Sequence, residues 1–150
     1  EKEEAMLVPH GAYILMVDGG RMHLFRNHGR DSAIELETRQ ERELHNPRTH
    51  VTNEPQPGRS FQSMGFERSA YEGTDTHQRR EDAFCEEALD EALGAAAEAD
   101  ELILIAPAHV MGVLRKHLEH HHKHPPVREI VKDLTAFSPS ELTGWLRSHH

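Results

Sequence analysis

Five consecutive apolar residues, Leu102-Ile103-Leu104-Ile105-Ala106, are closed off by Pro107. A continuous apolar run of that length reads as a strand covered on both faces. Proline ends it because it cannot donate to a sheet ladder. Met111, Leu114 and Leu118 then recur at helical spacing, with Arg115, Lys116 and His117 between them. A doubly covered strand running into an amphipathic helix belongs at the centre of an α/β sheet.

The rest of the chain supplies neighbours for that strand. Residues 12–17, AYILMV, read as a buried strand, and Asp18-Gly19-Gly20 as a tight turn. Residues 21–26 form the returning strand, and Asn27-His28-Gly29 the next turn. Residues 33–39 alternate apolar and charged, as a half-exposed strand towards a sheet edge does. Residues 45–75 lose all periodicity: Pro47, Pro55, Pro57, Gly58, Gly65 and Gly73 break it. A loop of about thirty residues is uncommon in a compact domain and is usually functional or disordered.

Thr74-Asp75-Thr76 offers helix caps, with Gln78 as a capping-box partner for Asp75, and predicts a helix over 76–99. Its apolar stripe is Cys85, Leu89, Ala92, Leu93 and Ala96. A helix over 109–122 and a strand near 127–134 follow. Ser138-Pro139-Ser140-Glu141 is a capping box with proline at its first helical position. The order β-β-β-α-β-α-β-α predicts a mixed five-stranded sheet with helices on both faces, the ribonuclease-H-like order of elements. Residues 6–148 read as a single domain, and 1–5 as a leader or cloning remnant.

Charge narrows the function classes. The chain carries 26 acids, 17 Lys and Arg and 14 His, for a formal charge of −9. Residues 81–101 hold nine of the acids and neither Lys nor Arg, so the remainder of the chain is balanced. A local basic surface elsewhere stays open to nucleic acid. No apolar run approaches the ~20 residues of a membrane span. No signal peptide is recognisable, and a single cysteine forms no internal disulfide, which predicts a cytoplasmic protein without a membrane partner.

Four constellations could carry chemistry. A two-metal nuclease needs converging carboxylates about 4 Å apart on its ions. Asp18, Asp75 and Asp82 are candidates, but the strand ending at Ala106-Pro107-Ala108 offers none. Asp18 reads more simply as the first residue of an Asp-Gly turn. His117 and His121 have the i, i+4 spacing that can chelate a transition metal. Nothing acidic or thiol-bearing is visibly fixed beside them, so they read as a solvated helix end with adventitious metal binding; neither a resident metal nor a cofactor is expected. Cys85 falls on the apolar stripe of an acidic helix, which raises a thiol pKa and favours a small core residue over a nucleophile. The 45–75 stretch and the residues just beyond it carry Arg48, Arg59, Arg68, Arg79 and Arg80, interleaved with Phe61, Phe66 and Tyr71. Arginines position phosphates and aromatics stack on unpaired bases. A surface loop folding its aromatics onto the core gives the same composition. Tyr71 is expected to be packed and Phe61, near the Pro-Gly tip, to be exposed.

Several segments together resemble one family. They are Leu7-Val8-Pro9-His10-Gly11, Val17-Asp18-Gly19-Gly20-Arg21, Pro57-Gly58-Arg59-Ser60-Phe61, Arg68-Ser69-Ala70-Tyr71-Glu72, Leu102–Pro107 with Gly112-Val113-Leu114-Arg115-Lys116, and Lys132-Asp133-Leu134-Thr135. In order and spacing they resemble the bacterial host attachment proteins, over about residues 6–147. That family is similar in turn to the middle domain of archaeal and eukaryotic class I release factors and Pelota. The resemblance implies that the long loop before the first long helix meets the ribosome or a tRNA. In release factors the loop carries Gly-Gly-Gln, which promotes hydrolysis of peptidyl-tRNA. The stretch here reads Pro57-Gly58-Arg59-Ser60-Phe61-Gln62-Ser63-Met64-Gly65, with one glutamine, Gln62, and no triplet.

The resemblance therefore implies a non-catalytic RNA- or ribosome-binding module. Its expected contacts are Arg48, Arg59, Phe61, Gln62, Arg68, Tyr71, His77 and Arg79. Two alternatives stand beside it. One is a hydrolase of peptidyl-tRNA or RNA acting through residues 57–77, with His77 or Glu72 near Gln62. The other is a surface adhesion protein, as the family name suggests.

Overall fold

The computed structural model describes residues 7–30, 33–44 and 63–148, with only the backbone described at 63–75. Five strands form one sheet: β1 (Tyr13–Val17), β2 (Arg21–Asn27), β3 (Leu36–Glu43), β4 (Leu102–Ala106) and β5 (Val127–Val131). Among the described residues three helices accompany it: α1 (Ser63–Ala95), α2 (Ala108–Leu118) and α3 (Pro139–Ser148). The strand order is β3-β2-β1-β4-β5. β1, β2 and β3 are an antiparallel meander. β4 runs parallel to β1 on one side and to β5 on the other. The expected mixed sheet and order of elements are both present.

All five β4 residues are buried. β4 is interior, although the middle place of the five belongs to β1. Its side chains point alternately to two cores. Leu102, Leu104 and Ala106 join Leu15, Val17, Met22 and Leu24 beneath α1 and α2. Ile103 and Ile105 join Ile14, Met16 and Phe25 beneath Leu142 and Leu146 of α3. Each large side chain fully buried contributes about 1.5–3 kcal/mol. Four of them in β4 alone match the net stability of a typical domain, which is why this strand anchors the fold.

The edge strand β3 departs from the expected 33–39. Its ladder starts at the Asn27–Leu36 pair, because Asn27 holds the preceding turn out of the sheet. Asn27 is fully buried, and its amide donates to Val8 O (3.0 Å) and Pro9 O (3.1 Å). Its Oδ1 accepts from the backbone N–H of Gly29 (3.0 Å) and Glu35 (2.9 Å). Beyond Leu36 the strand is polar and exposed, as suits an edge that must not pair with another chain.

Helix boundaries differ from the sequence reading in the same way. α1 begins at Ser63, thirteen residues before the Thr76 expected from the caps, and ends at Ala95. Extending a helix that is already nucleated costs little per residue, so the packed stripe from Phe84 to Leu93 propagates it backwards through the internal cap signal. α2 stops at Leu118, where Glu119 turns the chain. The Ser138–Glu141 box forms as expected: Ser138 N–H donates to Glu141 Oε1 (2.8 Å) and Glu141 N–H to Ser138 Oγ (3.1 Å). Among the described residues no helix is long and apolar enough to cross a membrane.

Candidate functional site

The parallel strands β1, β4 and β5 end on one side of the sheet, and the residues that follow them meet there. Asp18, Gly19, Gly20, Arg21, Glu43, Leu44, Glu81, Pro107 and Asp133 line an open cleft of about 510 Å³. In α/β sheets this edge, beyond the carboxyl ends of the strands, is where ligands bind. Leu44 is the last described residue before the 45–62 stretch, so the chain leaves the described sheet at the rim of the cleft.

Asp18 organises the cleft floor. Its Oδ1 accepts from the backbone N–H of Gly20 and of Arg21, both at 2.8 Å. The Thr135 hydroxyl donates to its Oδ2 at 2.7 Å and lies 3.0 Å from Asp133 Oδ1. The Arg21 guanidinium stands 3.8 Å from Oδ2. Burial opposes ionisation of Asp18. The Gly20 amide, the Thr135 hydroxyl, and the amide and charge of Arg21 together outweigh it, and the pKa is lowered. This carboxylate closes the β1–β2 turn and ties it to the loop after β5. The turn reading of Asp18 holds, and the tie to Thr135 spans 117 residues.

α1 forms the wall. Gly19 lies so close to Glu81 that an added Cβ would sit 3.0 Å from its Oε1. His77 Nε2 is 3.0 Å from Glu81 Oε2, while His77 Nδ1 is buried without a hydrogen-bond partner among the described residues. Gln78 donates to Asp82 Oδ1 at 3.0 Å and its Nε2 lies 3.0 Å from His109 Nε2 on α2. Cys85 lies just below, with its thiol 3.7 Å from the Asp18 carbonyl. Burial first, then the charges of Asp82, Glu81, Asp18 and Glu86, push that thiol up to about 12. Cys85 is a core residue, as its place on the apolar stripe suggested.

The expected contact residues fall into three groups. His77 is half-buried on α1 against Glu81, the α1 residue that lines the cleft, and Arg79 is exposed on α1 beside the equally exposed Arg80. Arg68 and Tyr71 lie on the helical backbone of α1 rather than in a loop, which corrects the 45–75 boundary; their side chains are outside the described residues. Arg48, Arg59, Phe61 and Gln62 lie outside the described residues altogether, as does the expectation for Phe61 exposure. Among the described residues the cleft lining carries Asp18, Glu43, Glu81 and Asp133 against one cation, Arg21. Sequence reasoning passed over Glu81, Asp133 and Thr135 as members of this cluster; the Asp-x-Thr pattern after β5 was the available signal.

Residues 11–145 match the profile of Bacterial archaeo-eukaryotic release factor family 12. The chain belongs to that family. The match spans the whole sheet, all but the end of α3, and the stretch between β3 and α1, so the release-factor resemblance seen in the sequence is met. No curated protein and no solved structure gives a match.

A second cluster lies away from the cleft, where α1 and α2 pack together. His117 Nε2 and His121 Nε2 lie 2.9 Å and 3.0 Å from the same atom, Asp90 Oδ1. The sequence reading left these histidines without an acidic neighbour. The packing of α1 on α2 supplies one from 27 residues earlier in the chain.

Proposed function

We propose that this family 12 protein is a non-catalytic RNA-binding module related to translation release and rescue factors, with the ribosome or a tRNA as its partner. The observation that carries the reading is the family match across residues 11–145, which includes the stretch between β3 and α1. In this reading Arg48, Arg59, Arg68 and Arg79 contact phosphate. Phe61 and Tyr71 stack on unpaired bases, and Gln62 and His77 contribute polar contacts.

Electrostatics divides the surface. The acidic cleft floor repels phosphate, so in this reading RNA meets the exposed Arg79 and Arg80 of α1 rather than entering the cleft. The absence of Gly-Gly-Gln between Pro57 and Gly65 supports binding without hydrolysis. So does the engagement of Asp18 in three hydrogen bonds, and so does the buried thiol of Cys85.

Titrating labelled tRNA with the protein at rising salt tests the reading. Affinity should fall linearly on a log–log scale, with a slope that loses roughly 0.7–0.9 per phosphate-contacting arginine removed. Binding unaffected by Arg59→Ala and Arg79→Ala together would overturn it. One observation favours the hydrolase alternative: His77 is oriented by Glu81 at 3.0 Å, with its other ring nitrogen unpartnered among the described residues. Incubation with labelled peptidyl-tRNA, with and without divalent metal, decides it. Release of peptide that disappears in His77→Ala would establish that reading, and no release above background would remove it.

A further inference from the structure

The Asp90, His117 and His121 cluster has the chemistry of a metal site, and we propose that these three side chains hold one divalent transition-metal ion of the zinc, cobalt or nickel type, clamping α1 to α2. The ligand atoms are His117 Nε2, His121 Nε2 and one Asp90 carboxylate oxygen, all within 4.8 Å of one another. Ligands sharing an ion at ~2.0–2.1 Å stand roughly 3–3.4 Å apart. The two Nε2 atoms already lie 2.9 Å and 3.0 Å from Asp90 Oδ1, so small side-chain rotations admit the ion between them.

Three features separate this cluster from an ordinary exposed ion pair. His117 lies in the last turn of α2 and His121 follows in the turn after it, where its N–H donates to Leu118 O (2.9 Å), and the Nε2 atoms of both converge on one point. The carboxylate comes from a different helix, held by the same packing that buries Leu89, Leu93, Met111 and Leu114. The adjacent acid, Glu91, is engaged by Arg42 and Gln40, whereas Asp90 meets the two imidazoles. Two nitrogens and one carboxylate suit borderline ions and disfavour magnesium and calcium, which take oxygen ligands. His117 is 20% exposed, His121 32% and Asp90 50%, so the remaining coordination positions face water. The site lies on the far part of the helix pair from the cleft and is independent of any RNA-binding role.

Isothermal titration of the full chain with zinc, and visible absorption after cobalt addition, test the site against the many other histidines. One ion should bind per chain, raise the melting temperature, and be removed with that stabilisation by a chelator. Asp90→Ala should weaken binding by at least about ten-fold and abolish the melting shift. His121→Ala should do the same, while His122→Ala with His124→Ala together should leave both unchanged. Asp90→Asn keeps the side-chain shape, removes the charge, and should show the same direction of loss in a chain whose circular dichroism matches the parent. Parent-like affinity in Asp90→Ala and Asp90→Asn, with loss in the His122→Ala, His124→Ala chain, would mean adventitious binding by the helix-end histidines and would overturn the proposal.

Discussion

Replacing Asp18 with alanine removes three hydrogen bonds to a carboxylate at the floor of the cleft. It leaves the Gly20 and Arg21 amides and the Thr135 hydroxyl to find other partners. Truncating a charged acceptor costs roughly 1.5–3 kcal/mol per bond where the site is dry. The Asp18 side chain is 21% exposed, so water replaces part of this, and the net cost should be about 2–4 kcal/mol. For a chain of this size that is a fall in melting temperature of roughly 6–12 °C. Asp18→Asn keeps the Oδ1 acceptor for the two amides and should cost less than half as much. The pH dependence has a defined sign. The folded pKa of Asp18 lies below its ordinary 3.8, so its stabilising contribution is complete above that value and is lost as pH falls through the lower folded value. Urea unfolding of the parent, Asp18→Ala and Asp18→Asn at pH 7 and along the acid limb measures all of this. An alanine variant within about 0.5 kcal/mol of the parent would refute the role of Asp18 as the tie between the β1–β2 turn and the loop after β5.

Asn27→Ala removes the side-chain bonds to two backbone N–H groups and to the Val8 and Pro9 carbonyls, of which Pro9 O keeps the Ala12 N–H, and should destabilise by about 2–4 kcal/mol in the same assay; a cost below about 1 kcal/mol would contradict the bonding described. Cys85, buried and with its thiol pushed up to about 12, should resist iodoacetamide at pH 8 in the native chain and react once urea unfolds it; rapid native labelling would contradict its place in the core.

Strand β4 was readable because its evidence is local: five apolar residues and a proline state both the burial and the end of the strand. The Asp18 turn and the Ser138–Glu141 cap were readable for the same reason, each being complete within four residues. The start of α1 was not. Thr74-Asp75-Thr76 is a valid cap signal, but the helix stabilised by packing from Phe84 onward runs through it, and Gly65 and Gly73 mask the stretch before it. β3 began later than its alternation suggested because Asn27 ties the preceding turn to Val8 and Pro9, contacts made across about 19 residues. Beside the cleft, His77 was legible as a candidate, whereas Glu81, Asp133 and Thr135 come together only when α1 and the end of β5 close on the β1 turn. Asp90 is the clearest case. Its position on the acidic helix reads as solvated until α2 and the turn after it bring two imidazoles against it.

Ribosome co-sedimentation at low and at moderate salt tests the central claim most directly. A family 12 module that binds RNA through arginine–phosphate contacts should pellet with ribosomes at low salt, lose most of that association at moderate salt, and bind more weakly at low salt when Arg59 and Arg79 are both replaced by alanine. Absence from the ribosomal pellet at both salt concentrations would contradict it.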